Sequence, residues 1–301
     1  MLRPRVIMLV TLGVSMLSLA AYFSTATVLA NDTAIGEMGR SSTGSASSWN
    51  GTHTLVAWPD YRRTNSSALS DIYAARLDGT NTVVDQLGTG VSTANGLQSE
   101  PSIAFGSGVW LVVWQDTRAG GSSIDVYGAR VSSAGVVLDP TGIAVASSPV
   151  PEQLPSVGYD GTRFLVAYQF TTADGGFAIA GASVLPDGTV PSTGFPLSNG
   201  PGNETAPATA CTGGGQCLVA WQDTQNDVGD IYATRVSGTL PMDATGLKVA
   251  TTAGAQISAA STFDGTLYVV VWDDRPAAGT YNITAARVQT DGTIVDSAGW
   301  W

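Results

Sequence analysis

Positive charge is the scarcest resource in this chain. Charged residues make up 12% of its 301 residues, 13 basic against 24 acidic, for a formal charge of −11, and Lys248 is the sole lysine. Phosphate backbones and anionic lipids are held by clustered Lys and Arg, so nucleic acid is excluded as a partner, and a membrane enters only through an N-terminal segment if that is retained. Histidine is nearly absent as well. The one copy, His53, falls in a tight turn beside Gly51-Thr52, and no Gly-x-Ser-x-Gly elbow occurs, which removes Ser-His triads. Two cysteines with no neighbouring histidine supply too few donors for a four-ligand zinc site. No Asp-x-Asp-x-Asp-Gly calcium loop is present, so no cofactor is expected beyond calcium at an acidic rim. Disorder is excluded by the 44% of hydrophobic residues, and the 36 glycines among many Val, Thr and Ser argue for short strands and tight turns over helices.

The first thirty residues carry Arg3 and Arg5, an apolar run from Val6 to Phe23, and small residues ending at Ala30. They read as a signal peptide over 1–30, cleaved before Asn31, with a retained signal anchor as the rival. The mature chain, 31–301, is then expected to be secreted or held at the cell surface. Export permits a disulfide between Cys211 and Cys217, which flank the glycine-rich turn Thr212-Gly213-Gly214-Gly215-Gln216.

One unit is written five times. Its anchors are Trp58, Trp114, Tyr168, Trp221 and Trp272, spaced 56, 54, 53 and 51 residues apart, each closing a strand-like run such as Trp110-Leu111-Val112-Val113-Trp114. A short strand and an Asp-Gly type turn precede the run, as in Ser156 to Thr162. A third strand such as Asp125-Val126-Tyr127-Gly128-Ala129-Arg130 and a fourth such as Gly246-Leu247-Lys248-Val249-Ala250 follow it. Four antiparallel strands per repeat of this length predict an all-β chain, a β-propeller whose blades cover their apolar faces by stacking on neighbours. Residues 33–37 match a fourth strand with no preceding blade. They are expected to complete the last blade and close a five-bladed ring, while a fragment of a longer array is the other reading.

Features repeated in every unit are expected to build the blade. An acid two places after the anchor recurs as Asp60, Asp116, Asp223 and Asp274, and an arginine ending the third strand as Arg76, Arg130, Arg235 and Arg287. In the third unit both vanish together, to Phe170 and Ser183, which suggests structural Asp–Arg pairs, since losing both partners of a buried pair costs less than losing one. The motifs Trp114-Gln115-Asp116-Thr117-Arg118 and Asp125 to Val131 resemble the Trp-x-Asp-x-Arg and Asp-Ile-Tyr-Ala-x-Arg-Val repeats of secreted bacterial β-propeller proteins, most of them uncharacterised. The resemblance covers residues 33–301 and implies the fold but no single activity; five-bladed propellers more widely include lectins and glycosidases.

The connections from second to third and from fourth to first strands share one face and carry the long, variable loops, so any ligand is expected there. Glu100, Glu152 and Glu204 are placed in fourth-to-first connections, as a candidate acidic rim. Tyr61, Tyr281, Trp300 and Trp301 are the candidate stacking aromatics for a sugar. No residue is assigned a catalytic role, and no acid is expected within the first strands, which weighs against glycosidase chemistry. The chain is therefore expected to be a non-catalytic binding or interaction module for a glycan or an extracellular protein. The alternative is a glycoside-active enzyme with loop-borne acids such as Glu100, Glu152 or Asp174.

Overall fold

The computed structural model describes residues 44–63, 69–120, 123–198, 200–226, 228–277, 279–296 and 299–300, and the regular structure among them is entirely strand. The expected signal peptide, the closing strand at 33–37 and Trp301 lie outside the described residues.

The strands form five antiparallel sheets in chain order. The first holds β1 (Ala46–Trp49), β2 (His53–Asp60), β3 (Asp71–Asp78) and β4 (Thr89–Ser92); the second β5 (Gln98–Gly106), β6 (Val109–Asp116), β7 (Asp125–Ser132) and β8 (Ile143–Ala146). The third holds β9 (Glu152–Tyr159), β10 (Phe164–Thr171), β11 (Phe177–Val184) and β12 (Ser192–Pro196). In the fourth, β13 (Glu204–Cys211), β14 (Gln216–Asp223) and β15 (Asp230–Ser237) are followed by β16 (Leu240–Pro241) and β17 (Leu247–Ala250), which both pair with β15. The last comprises β18 (Ala255–Phe263), β19 (Tyr268–Arg275) and β20 (Asn282–Val288), against which Trp300 bridges Ala285.

Each sheet is apolar on both faces of its second strand, so it must be covered twice. Along β6, Trp110 to Trp114 are all fully buried. Leu111 and Val113 pack against Val157, Phe164 and Val166 of the third sheet, while Trp110, Val112 and Trp114 pack against Leu55, Ala57 and Ile72 of the first. The same interleaving joins the third sheet to the fourth and the fourth to the fifth. This face-to-face stacking is a β-propeller, with the first strands innermost and in contact with one another. Truncating one of these side chains to alanine is worth about 2–5 kcal/mol.

Side chains also sew the blades together at the axis. Ser102 Oγ accepts from Val157 N at 3.1 Å and Ser156 Oγ from Thr209 N at 2.9 Å. Each innermost strand from β5 onward carries a bulge at a left-handed residue: Glu100 (φ 52°), Leu154 (φ 50°), Ala206 (φ 51°) and Ser258 (φ 56°). The amide of the bulge residue is taken up by the neighbouring blade, Gln115 Oε1 accepting from Leu154 N at 3.3 Å and Gln169 Oε1 from Ala206 N at 3.2 Å.

In blades one, three and five the first hairpin turn is closed by an Asx cap. Asn50, Asp160 and Asp264 each accept two backbone amides from the turn through Oδ1. The fourth blade has no such residue there; instead the cross-strand pair Cys211 and Cys217 forms the expected disulfide. His53 opens β2 immediately after its turn, its Nδ1 3.0 Å from Thr52 Oγ1.

Two sequence expectations are corrected. The innermost strands begin earlier than their β-branched residues suggest, so Glu100, Glu152 and Glu204 lie within β5, β9 and β13 and not in the connections before them. The bulge and the prolines Pro101, Pro155 and Pro207 disguise these starts as loop. The Asp–Arg pairs are also wired differently. Arg76, Arg130, Arg235 and Arg287 pair with Asp85, Asp139, Asp243 and Asp296, at 2.6–2.8 Å, and not with Asp60, Asp116, Asp223 and Asp274. Each arginine also takes its aspartate onto its own backbone amide, and Arg76, Arg130 and Arg235 reach a carbonyl of the following blade. The actual pair is lost together in blade three, where Ser183 faces Ser192; the acid that becomes Phe170 there was not its partner.

Candidate functional site

Antiparallel geometry sends the second-to-third and fourth-to-first connections to one face, and the acids gather at that end of the strands. Asp60 faces Asp71, Asp116 faces Asp125 and Asp223 faces Asp230 across their hairpins. From the innermost strand, Gln98 faces Asp116, Glu152 faces Phe170, Glu204 faces Asp223 and Gln256 faces Asp274.

Most of these acids are committed to the fold. Asp60 and Asp116 each accept from the indole of their own anchor, at 2.9 and 2.8 Å, and from Arg62 and Arg118, at 2.6 Å. Despite its burial, hydrogen bonds from Arg62 hold the Asp60 carboxyl below its usual range. Glu152 is buried and accepts from Ser148 N at 3.0 Å; Glu204 is buried and accepts from Ser198 Oγ and from Gly200 N at 2.7 Å. Burial pushes both glutamates up, and the hydrogen bonds only offset it. They cap the turns that precede their strands and do not form an open rim.

Glu100 is different. It occupies the bulge of β5, on the innermost strand and at the loop face, only partly buried, with Gly44 lying against its carboxyl. Burial raises its proton affinity. The corresponding bulge residues are Leu154, Ala206 and Ser258, so the acid is peculiar to blade two and is not part of the repeat. On the loop between β10 and β11, Asp174 has the opposite character: it is exposed, and the hydroxyl of Thr172, 2.5 Å away, holds it below the usual range.

A cavity of about 280 Å³ on the same face lies between the last two blades and is lined by Val228, Gly254, Arg275, Pro276 and Tyr281 among others. Tyr281 is 68% exposed, its ring 5.1 Å from the Arg275 guanidinium, which is itself tied to Asp273 at 2.6 Å. Of the aromatics chosen from the sequence, Tyr281 thus lines a cavity. Tyr61 is half-buried after β2. Trp300 is half-exposed, but its backbone pairs with Ala285 and its indole donates to Asp296 at 3.1 Å. The structure does not bring these three together. Arg275 and Val228 were missed, and nothing in the repeat marks them. Among the described residues no group of three or more His, Cys, Asp or Glu side chains is placed to hold a metal ion, and no helix is long and apolar enough to cross a membrane.

No family model and no curated protein matches the chain. Solved structures do match. A Hadza microbial sialidase superposes with a TM-score of 0.61 at 15% identity, over 83% of this chain and 57% of its own. A thermostable family-43 glycoside hydrolase gives 0.53 at 8% identity, over 83% and 90%. An exo-1,5-α-L-arabinanase from a bovine ruminal metagenomic library gives 0.50 at 14%, over 83% and 95%. At these identities the likeness establishes the fold. It nevertheless corrects the expectation of a non-catalytic binding module: these matched propellers are enzymes acting on glycosides, and the argument that no acid stands in the innermost strands fails at Glu100.

Proposed function

We propose that the chain is a glycoside-active enzyme that uses Glu100 as its proton donor. The observation that carries this reading is the position and state of that residue: an acid at the innermost-strand bulge, where blades three to five carry Leu154, Ala206 and Ser258, partly exposed at the loop face, with a carboxyl whose proton affinity burial raises. Glycosidic oxygen is a poor leaving group until protonated, and a carboxyl whose proton affinity is raised holds that proton to higher pH than an ordinary one. The second group such chemistry needs is an ionised carboxylate across the bond, for which Asp174 has the required charge state. The activities of the matched folds, an arabinanase and a sialidase among them, set the first substrates to try.

The same reading places the protein outside the cytoplasm. A disulfide between Cys211 and Cys217 persists in oxidising compartments, in keeping with the signal-like N-terminus. It also takes the ring as five blades closed by the 33–37 segment.

The test is turnover of aryl arabinofuranosides, arabinan and sialosides by residues 31–301, compared with Glu100→Gln and Asp174→Asn. Glu100→Gln is expected to lose about 10²–10⁴-fold on the substrate that turns over. The wild-type rate should fall as pH rises through the raised Glu100 pKa. Activity surviving in Glu100→Gln, or none on any substrate in the panel, overturns the reading.

A further inference from the structure

Blades one and two hold a guanidinium at the same place. In blade two, Arg118 follows Trp114 by four residues. It donates to Asp116 Oδ2 at 2.6 Å, to Thr141 O at 2.7 Å and to Ser92 Oγ at 3.3 Å, and it lies 3.9 Å over the Tyr127 ring. Asp116 Oδ2 accepts the Trp114 indole N–H as well. Blade one repeats this with Arg62 on Asp60 and on the Leu87 carbonyl, over Tyr73, with Trp58 donating to Asp60.

Blade four keeps the cradle and lacks the cation. Trp221, Asp223 and Tyr232 stand at the matching registers, Thr245 precedes a left-handed glycine as Thr141 does, and Ser198 takes the place of Ser92. The arginine position is Gln225. The carboxylate count rises meanwhile, because Glu204 faces Asp223 where Gln98 faces Asp116. What remains is a cavity of about 30 Å³ walled by Ser198, Glu204, Trp221, Asp223, Gln225 and Tyr232. On its wall the buried Trp221 Nε1 makes no well-formed hydrogen bond, unlike Trp58 and Trp114, although it lies close enough to the Asp223 carboxyl to lower its proton affinity. One water needs roughly 10–15 Å³, so the space suits a small head group and not a sugar ring. Burial pushes the Asp223 carboxyl up, opposite to Asp60 with its arginine.

We propose that blade four is a binding site for an alkylguanidinium group brought by a ligand, seated on Asp223 and the Thr245 carbonyl with its face on Tyr232. The slot was shaped for that group: a flat aromatic floor, a carboxylate edge and a carbonyl are the three contacts that Arg118 makes in blade two. Both Glu204 oxygens are already engaged by Ser198 and Gly200, so Glu204 contributes charge and not coordination. A bound guanidinium would hold Asp223 where it accepts the Trp221 N–H in ordinary geometry, as Asp116 accepts from Trp114. Thr245 is exposed and Gln225 partly so, and Arg118 itself is 18% exposed, so the slot opens to solvent.

The probe is methylguanidinium, titrated into the full mature chain while indole N–H resonances are followed by NMR. Saturable movement of one indole signal is expected in wild type. Gln225→Arg fills the slot from within: it should shift the same signal without ligand, abolish binding and raise the melting temperature. Asp223→Asn should weaken binding about tenfold or more through loss of a charged hydrogen bond. Undiminished binding in Gln225→Arg, or no saturable binding in wild type, overturns the proposal. So does calcium or sodium moving the same indole at lower concentration than methylguanidinium, which would make the slot a metal site. Gln225→Arg retains all cradle residues, so it decides the matter even if Asp223→Asn fails to fold.

Discussion

At the scale of single residues, most charges in this sparse set have a defined partner. Asp116 has no exposure and receives both the Trp114 indole and Arg118, so Asp116→Ala leaves two donors without an acceptor. The expected loss is about 3 kcal/mol in urea denaturation, with β-sheet content unchanged at low urea. The pair of Arg130 and Asp139 offers a sharper check, because blade three already shows its replacement by two serines. Arg130→Ser and Asp139→Ser should each destabilise more than half as much as the double change, with a coupling of about 1–2 kcal/mol in a double-mutant cycle. Strict additivity would mean the two side chains do not interact in solution. The joint disappearance of acid and arginine in the third repeat was legible, but the acid that becomes Phe170 is not the arginine's partner. The true partner was not legible, because Asp60 and Asp116 occur as regularly as Asp85 and Asp139, and periodicity cannot choose between two equally periodic acids. The constant step of eight or nine residues from arginine to aspartate, with Ser183 and Ser192 keeping it, was the one available clue.

At the scale of elements, the second and third strands were readable from their apolar runs and the hairpin turns from Asx and glycine chemistry. The innermost strand was not. Its start reads as Glu-Thr-Ala-Pro or Gln-Ser-Glu-Pro, polar and broken by proline, because the bulge turns one residue into the left-handed region and lets proline sit where no ladder bond is needed. That misreading moved Glu100, Glu152 and Glu204 from strand to loop and hid the acid at the bulge of β5. The strain itself is measurable at Ala206, whose φ is 51°. A left-handed alanine costs about 1–2 kcal/mol and glycine gives back about 0.5–1 in unfolded-chain entropy. Ala206→Gly is therefore expected to stabilise by about 0.5–1 kcal/mol, whereas the same change at the fully buried Ala220 of β14 should destabilise. An equal loss at both positions in denaturant melts would contradict a strained bulge.

At the scale of the whole molecule, the net charge of −11 hides two populations of acids that respond to pH in opposite directions. Burial raises Glu100, Glu152, Glu204, Asp71, Asp125 and Asp223 above their ordinary values of 4.5 and 3.8. Folded, these groups hold protons that the unfolded chain has released, so stability grows as pH falls through their folded values, and the gain is complete once the unfolded values are reached. Asp85 is held down chiefly by hydrogen bonds from Arg76; Asp60 and Asp139 are held down by hydrogen bonds from Arg62 and Arg130 that outweigh burial. Asp296 is lowered to about 2 by the side chain of Arg287. What these four contribute is present above 3.8 and is lost as pH falls toward their folded values. The two trends oppose each other on either side of the carboxylate range, so the melting temperature should rise from pH 7 to a maximum between about pH 4 and 5, then fall steeply toward pH 2. Calorimetric scans across that range check it. Glu204→Gln, which removes one raised acid without changing its shape, should raise the melting temperature at pH 7 and flatten the approach to the maximum. A melting temperature that declines steadily from neutral pH would mean that the buried carboxylates are stabilised as ions in the folded protein.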